Sequence, residues 1–378
     1  MSTGQPAHAQ AQDAPEPRIN KYFKAAVKTR ASDIHLKVGQ TTRLRLQGFL
    51  KATTGEPFEK EALEEMIMEI LSDDQKRQFK EHGTLDFAYE YGDSNRFRVN
   101  VFRQRGCVSL AGRRVESTVP SFESLHLPAV LAEIADQQEG LVLVVGPTGS
   151  GKTTTIAAML DHIAKSRACH IITVEDPIEY LFKDGKAIVS QREIGIDVPN
   201  FDDALTYLMR QDPDVVLVGE MRDAKTVTAG MRAAETGHMV FGTLHSANAA
   251  QAIHRLLDLF PQEERELTRQ ALAIAMKAII SQCLIPCLLK DVPRVPVMEI
   301  MLGSPTVKKF IAEGREADLT GVIRNSLREG MQDFTENLCK FVMDGVIDPK
   351  EALRFAPNAE ELKMALKGIK TTTEGLMM

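Results

Sequence analysis

The chain has 378 residues, of which 43% are hydrophobic and 26% are charged, and its formal net charge is −6 at neutral pH. This length exceeds what a single hydrophobic core usually serves, so we predict at least two domains. The mild acidic charge argues against a surface wholly devoted to nucleic acid, and five scattered cysteines argue against a secreted disulfide framework.

The first part of the chain predicts a tail followed by a small domain. Residues 1–18 are rich in Ala, Gln and Pro and lack the apolar run of a signal peptide, so we expect a disordered tail. Apolar spacing over 61–71 predicts a helix. Alternating hydrophobicity predicts half-buried strands over residues 44–46, 85–89 and 97–101. We therefore expect a small α/β domain over 19–116 and a linker over 117–124.

Residues 125–366 predict a larger α/β domain. Apolar strand-like runs alternate with helical spacing, over residues 141–145, 171–174, 215–218 and 239–244. This alternation is typical of a mostly parallel sheet with helices on both faces, which carries ligand chemistry at the carboxyl ends of its strands. The last part of the domain predicts a helical subdomain with Asp333 and Asn358 as helix N-caps. Residues 367–378 are expected to form a second tail.

The most specific motif follows the first of these strands and matches G-x-x-x-x-G-K-[ST]. In this pattern successive backbone N–H groups surround a polyphosphate, and the following helix directs the positive end of its dipole at the anion. Lys152 is expected to reach the terminal phosphates, and Thr153 to offer its hydroxyl to Mg²⁺. The motif therefore predicts binding of ATP or GTP with Mg²⁺. The expected binding residues are Gly146, Pro147, Thr148, Gly149, Ser150, Gly151, Lys152, Thr153 and Thr154.

Carboxylates follow two of the predicted strands. Glu220 ends the run 215–220 in the arrangement of a Walker B motif, where it would hold Mg²⁺ through water or polarise the attacking water. Glu175, Asp176 and Glu179 place three carboxylates within five residues, and such charges repel one another unless a metal ion or an arginine neutralises them. Glu175 and Asp176 are therefore candidate Mg²⁺ ligands beside Thr153 and Glu220. A solvated acidic loop is the alternative interpretation.

The histidines and cysteines do not predict a zinc centre. His238 and His245 flank the strand predicted over 239–244, and seven extended residues span roughly 23 Å, too far for one shared ion. His245 follows the carboxyl end of the strand, where it could form a hydrogen bond with a γ-phosphate and sense its loss. For His238, near the opposite end, both a structural and a functional role are open. Cys283 and Cys287 lie in an apolar segment without a second pair, so we expect buried thiols.

Arginines are concentrated over residues 96–114, and no acidic residue lies among them. Arg96 and Arg98 share one face of an extended strand. Guanidinium groups arranged in this way suit a phosphate, including one bound by a neighbouring subunit. A nucleic-acid contact and a solvated face are the alternatives.

Taken together, the motifs resemble those of a known family. In order and spacing, they are similar to the Walker A motif, Asp box, Walker B motif and His box of the type II/type IV secretion ATPases, at residues 146–153, 175–179, 219–223 and 236–245. Within that superfamily the chain most resembles the retraction ATPases of type IV pili, because residues 31–36 and 329–334 are similar to their N-terminal and C-terminal regions.

The resemblance implies a PAS-like N-terminal domain, a RecA-like P-loop NTPase domain and a homo-hexameric ring that binds ATP between domains. It implies that Glu179 activates water, Glu220 supports Mg²⁺ and its water, and His245 senses phosphate, although the general base could be either glutamate. Arg98 and Arg113 would complete the site. It further implies a cytoplasmic ATPase at the inner face of the cytoplasmic membrane, attached only through partners such as the platform protein of the pilus, without direct contact to nucleic acid.

Three other functions fit parts of the pattern. A pilus extension or type II secretion ATPase usually has a longer N-terminal region and a four-cysteine zinc site, which the sequence lacks. A DNA-translocating RecA-like motor would need basic residues facing the pore of its ring. A subunit that binds nucleotide without hydrolysing it would not need Lys152, Glu179 and Glu220 together.

Overall fold

The computed structural model describes residues 16–46, 48–92 and 95–369. It divides into two compact units, Met1–Ser117 and Thr118–Met378. Most of the predicted tail over 1–18 and of the predicted tail over 367–378 lies outside the described residues.

In its described residues, the first unit contains one antiparallel sheet and three helices. Its strands are β1 (Asp33–Lys37), β2 (Arg43–Leu46), β3 (Phe49–Ala52), β4 (Thr84–Tyr91), β5 (Asn95–Gln104) and β6 (Cys107–Arg114). Its helices are α1 (Asn20–Lys28), α2 (Lys60–Met68) and α3 (Asp73–His82). The strand order is β3-β2-β1-β6-β5-β4, and a core that contains Phe23, Leu63 and Phe97 packs against the sheet. The three predicted strands are present within β2, β4 and β5.

The helix predicted over 61–71 ends earlier than expected, at Met68. Ser72 begins the next helix with a capping box, because its hydroxyl accepts from the Gln75 N–H while the Gln75 side chain accepts from the Ser72 N–H. The chain must leave α2 before this cap can form. Leu71 is nevertheless buried, so it keeps the apolar contact that made the longer helix plausible.

The second unit contains a seven-stranded sheet covered by helices. Its strands are β7 (Gly140–Val145), β8 (His170–Glu175), β9 (Ile188–Glu193), β10 (Val215–Val218), β11 (Met239–Leu244), β12 (Met276–Pro286) and β13 (Arg294–Leu302). Its helices are α4 (Val130–Ala135), α5 (Lys152–Ser166), α6 (Phe201–Leu208), α7 (Ala224–Glu235), α8 (Ala249–Asp258), α9 (Arg265–Ala275), α10 (Pro305–Ala312), α11 (Leu319–Asn325), α12 (Phe334–Met343), α13 (Pro349–Phe355) and α14 (Ala359–Leu366). The strand order is β13-β12-β7-β11-β10-β8-β9, and every neighbouring pair is parallel except β12 with β13.

Strand β7 shows that both faces of this sheet are buried. Leu141, Leu143 and Val145 belong to one apolar cluster, whereas Val142 and Val144 belong to another. Alternate residues of a strand point to opposite faces, so helices cover the sheet on both sides. The four predicted strands and the parallel sheet are confirmed, while β9, β12 and β13 were not predicted.

The helical end of the unit begins at the predicted caps. The Asp333 carboxylate accepts from the Glu336 N–H at 2.7 Å, and the Asn358 side chain accepts from the Glu360 and Glu361 N–H groups. Cys283 and Cys287 are half-buried against these helices rather than fully buried, and burial raises the pKa of the Cys283 thiol to about 11. Within the described part of the chain, no helix is both long and apolar enough to cross a bilayer.

Candidate active site

The carboxyl ends of four neighbouring strands, β7, β11, β10 and β8, surround a cavity of about 220 Å³. The register aligns these ends, since Val145 pairs with Leu244, and Val218 pairs with both Gly242 and Val174. The loops that follow the strands carry the predicted motifs. The cavity is lined by Thr148, Gly149, Lys152, Thr153, Ile156, Glu175, Asp176, Pro177, Glu179, Phe201, Leu217, Gly219, Glu220, Arg222, Thr243 and His245.

The phosphate loop (residues 146–153) joins β7 to α5 and directs its lysine inward. Lys152 is the first residue of α5 and is 9% exposed, and its ammonium group donates to the carbonyls of Gly146 at 3.0 Å and Pro147 at 3.2 Å. Burial lowers the pKa of Lys152, although Glu220 and Glu179 oppose this shift. Gly146 has φ of +154°, and a Cβ there would lie 2.3 Å from the carbonyl oxygen of Gln282, so only glycine fits.

Glu220 lies just beyond β10 and contacts the side chains of Arg222 and His245. Its carboxylate accepts from the Arg222 guanidinium at 2.6 Å and lies 3.4 Å from Nε2 of His245. The hydrogen bond from Arg222 is the largest cause that lowers the pKa of Glu220. Thr243, on β11, donates its hydroxyl to the carbonyl of Gly219 at 2.5 Å and so fixes the backbone just before Glu220. The acid of the Walker B motif is therefore ionised and oriented beside His245.

The acidic box contains one buried and two exposed carboxylates. Glu175, the last residue of β8, is 5% exposed and accepts from the Thr173 hydroxyl at 2.7 Å and from the Gln191 amide at 3.3 Å. Burial raises the pKa of Glu175 to about 7. Asp176 and Glu179 are exposed and line the cavity. The residues of the box therefore differ in environment although they are adjacent in sequence.

The raised pKa of Glu175 predicts a pH dependence of stability. The folded chain holds a proton on Glu175 that the unfolded chain releases between about pH 4.5 and 7, so the free energy of unfolding falls as pH rises through this window. Glu175→Gln keeps the shape and removes the titration. We expect the variant to flatten the slope by up to about 1.4 kcal/mol per pH unit, measured by urea unfolding between pH 5 and 7.

The matched control for this measurement is Glu235→Gln, at the exposed end of α7, which should leave the slope unchanged. Glu299 also has its pKa raised to about 7 by burial, so part of the wild-type slope should persist in the Glu175 variant. An unchanged slope in Glu175→Gln would contradict the buried, protonated carboxyl.

The predicted loop residues that do not line the cavity have other contacts. Ser150 is buried, and the Thr154 hydroxyl lies 3.1 Å from the Tyr180 hydroxyl. Pro147 lines a second, open cavity of about 590 Å³ together with His245 and one face of α8.

His238, at the opposite end of β11, contacts the Ala233 carbonyl through Nδ1 at 3.0 Å. His238 therefore lies at the end of the strand away from the cavity.

Arg98 and Arg113 belong to the first unit, where they are paired across β5 and β6. The Arg113 guanidinium donates to Asp33 at 2.8 Å, and Asp33 also lies 3.3 Å from Nε of Arg45. Strand pairing thus brings an acidic residue from β1 to an arginine cluster that contains none in sequence. The participation of Arg98 and Arg113 in the site of a neighbouring subunit stays a prediction.

Arg222 and Gln191 contact residues of the site but were not predicted from the sequence. Arg222 lies two residues after Glu220, and its position in the Walker B segment was a usable signal. Gln191, on β9, donates to Glu175 and to the Tyr180 carbonyl at 2.8 Å, and so ties the acidic box to a neighbouring strand. No sequence signal marks Gln191, because β9 itself was not predicted.

The side chains present fit a Mg²⁺ ion held partly by a nucleotide. Thr153 and Glu220 line the same cavity and offer oxygen ligands, which Mg²⁺ prefers. Among the described residues, no three His, Cys, Asp or Glu side chains are grouped closely enough to hold a metal ion by themselves. Such a site matches Mg²⁺ bound through one or two protein groups together with phosphates and water.

Comparisons with known proteins point to one family. The family described as "Type II/IV secretion system protein" matches residues 9–294. The type IV pilus retraction ATPase PilT of Pseudomonas aeruginosa is 39% identical over 334 residues, which are 88% of this chain and 96% of that protein. A twitching motility protein of Neisseria gonorrhoeae is 37% identical over 85% of this chain and 86% of its own length.

A solved structure supports the same grouping. The crystal structure of the pilus retraction motor PilT with bound ADP superimposes with a TM-score of 0.84 at 38% identity, and the match covers 92% of this chain and 99% of that one. The similarity confirms the predicted fold class, an α/β protein with a RecA-like ATPase domain.

Proposed function

The chain belongs to the family of type II/IV secretion system proteins, and we propose that it is a Mg²⁺-dependent ATPase that powers retraction of a type IV pilus. The observation that carries the proposal is the convergence of Lys152, Glu179, Glu220 and His245 on one cavity at the strand ends. Phosphoryl transfer to water requires a cation that binds the phosphates and a carboxylate that orients the attacking water, and this cavity contains both. Relatives named for pilus retraction and twitching motility match along nearly the whole chain.

We assign the following roles to the residues of the site. Lys152 leaves the loop carbonyls to hold the terminal phosphates, and the backbone N–H groups at the start of α5 bind the remaining phosphate charge. Thr153 and Glu220 would hold Mg²⁺, which would offset the charge of the phosphate oxygens. Asp176 and Glu175 are further candidate ligands, although Glu175 must first lose its proton.

Glu179 and Glu220 are the candidates for orienting and deprotonating the attacking water. Glu179 is exposed to the cavity, whereas Glu220 is already bound to Arg222 and lies near His245. Because Glu179 has fewer competing partners, we assign it as the general base. His245 is placed to follow changes at Glu220, which supports its role as a phosphate sensor.

The working assembly that we propose is a homo-hexameric ring in the cytoplasm, at the inner face of the cytoplasmic membrane. Its partner would be the platform protein of the pilus, and contact with the membrane would occur only through partners. Arg98 and Arg113 would act on nucleotide bound by the ring. The support for this assembly is the family and the names of its relatives.

Removal of the gene in the host tests the direction of force. We expect cells that keep surface pili, in larger number than wild type, and that lose twitching motility, because pilin is no longer withdrawn. Electron microscopy of pili and a surface motility assay measure both, and the wild-type gene supplied in trans is the control. Cells without pili would identify an extension motor, and ATPase activity that rises with added DNA would identify a DNA-translocating motor.

A further inference from the structure

A buried glutamine contacts the phosphate loop from outside the cavity. Gln282 lies on β12, the strand next to β7, and its residue is only 2% exposed. Its side-chain amide donates from Nε2 to the Ser150 carbonyl at 2.6 Å and accepts at Oε1 from the Thr155 hydroxyl at 2.9 Å. One side chain therefore joins the end of the loop to the first turn of α5.

The hydrogen bond from Gln282 to the Ser150 carbonyl sets the orientation of the peptide group between Ser150 and Gly151. A peptide unit is planar and trans, so its C=O and N–H groups point in opposite directions. Because the Ser150 carbonyl points at Gln282, the Gly151 N–H points away from Gln282. Gly151 N–H is one of the backbone donors that the loop motif assigns to phosphate. Gln282 thus orients a phosphate donor that it does not itself touch.

The loop backbone packs directly against residue 282. A Cβ at Gly151 would lie 3.1 Å from Nε2 of the Gln282 side chain. A Cβ at Gly146 would lie 2.3 Å from the backbone carbonyl oxygen of Gln282. Both glycines have positive φ, +88° and +154°. A side chain at Gly146 would therefore collide with the backbone of residue 282, and one at Gly151 would crowd the amide of Gln282.

We propose that Gln282 is a positioning residue that presets the phosphate loop for nucleotide, an inference that rests on the proposed function. The position needs one donor and one acceptor at fixed places. Methionine is of similar length and offers neither, so it leaves a buried carbonyl and a buried hydroxyl without partners. An ionised glutamate offers two acceptors and repels the Ser150 carbonyl, whereas a protonated glutamate restores one donor and one acceptor.

The test compares Gln282→Met and Gln282→Glu with Ser281→Ala. Ser281 is a matched control, since it is the adjacent buried polar residue of β12, and its hydroxyl has no partner among the described residues. Binding of a fluorescent ADP analogue to the full chain is measured at pH 5.5 and pH 8, each variant relative to wild type. The KM and kcat for ATP are measured alongside.

We expect Gln282→Met to weaken binding by about tenfold at both pH values, and KM to rise more than kcat falls. Gln282→Glu should bind as weakly at pH 8 and recover to within about threefold of wild type at pH 5.5, because burial raises the pKa of the introduced carboxyl. Ser281→Ala should bind as wild type. Equal loss in Gln282→Glu at the two pH values, wild-type binding in both Gln282 variants, or a matching loss in Ser281→Ala would overturn the proposal.

Amide hydrogen exchange of the loop without nucleotide gives a second, independent readout. Peptides covering residues 146–153 should exchange faster in Gln282→Met than in wild type or Ser281→Ala, and equal exchange would overturn the proposal. A wild-type chain that binds no nucleotide would refute the proposed function, and the exchange rates would still decide whether Gln282 positions the loop.

Discussion

Lys152→Ala should lower the affinity of the chain for Mg-ATP by at least about a hundredfold, since hydrogen bonds to charged groups contribute roughly 1.5–3 kcal/mol each and we expect Lys152 to donate two to the phosphates. Lys152 is a largely buried residue, so solvent screens its charge less than that of a surface lysine. ATP hydrolysis should fall with binding. Isothermal titration with Mg-ATP measures the affinity directly.

Lys165→Ala is the matched control, because Lys165 lies in the last turn of the same helix and pairs at the surface with Asp161. It should bind Mg-ATP as wild type. A thermal unfolding transition close to that of wild type would show that the Lys152 variant is folded. Retained Mg-ATP affinity in a folded Lys152→Ala would contradict the assignment of the loop as a phosphate site.

Glu220→Gln and Glu179→Gln should leave nucleotide affinity within a few-fold of wild type and reduce kcat by about 10²–10⁴-fold. Glutamine keeps the size of the side chain and cannot accept a proton from water. The variant with the larger loss identifies the general base, which we expect to be Glu179. Steady-state phosphate release measures kcat, and binding of a fluorescent ATP analogue measures affinity.

The Glu220 variant carries an additional expectation. Loss of the carboxylate charge weakens the contact with Arg222 and removes the anionic partner of His245, so Glu220→Gln should also raise KM modestly. Glu235→Gln, an exposed residue at the end of α7, is the matched control and should keep wild-type kcat. Wild-type turnover in both Glu179→Gln and Glu220→Gln would refute the proposed hydrolytic roles.

The agreement between sequence and structure is greatest where contacts are local. The phosphate loop is recognisable from a buried strand, three glycines and a helix start, all within residues 140–166. Glu175, Glu220 and His245 lie at the ends of apolar runs whose length and composition predict strands. Since parallel strands end at one edge of a sheet, their meeting follows from the pattern.

Most of the errors occur where partners are distant along the chain, and the end of α2 is a local exception. Helix α2 ends at Met68 because Ser72 begins the next helix with a capping box. The spacing of apolar residues, on which the prediction was based, contains no information about this cap. Strands β9, β12 and β13 were missed. Strand β12 is parallel to β7, but β13 returns antiparallel to β12, so this pair departs from the alternation of strands and helices. The arginine cluster contained no acid in sequence, yet β1 places Asp33 opposite Arg113.

The sequence by itself determined the α/β class, the order of the motifs and the residue types that meet phosphate, because these depend on short-range spacing and strand polarity. Only the tertiary structure decided that Glu175 is buried while Glu179 is exposed, that Arg222 engages Glu220, and that Gln282 bonds to a loop 132 residues away. The contact of Gln282 and the burial of Glu175 depend on which strands become neighbours. That choice depends on the packing of the whole core, which no short segment encodes.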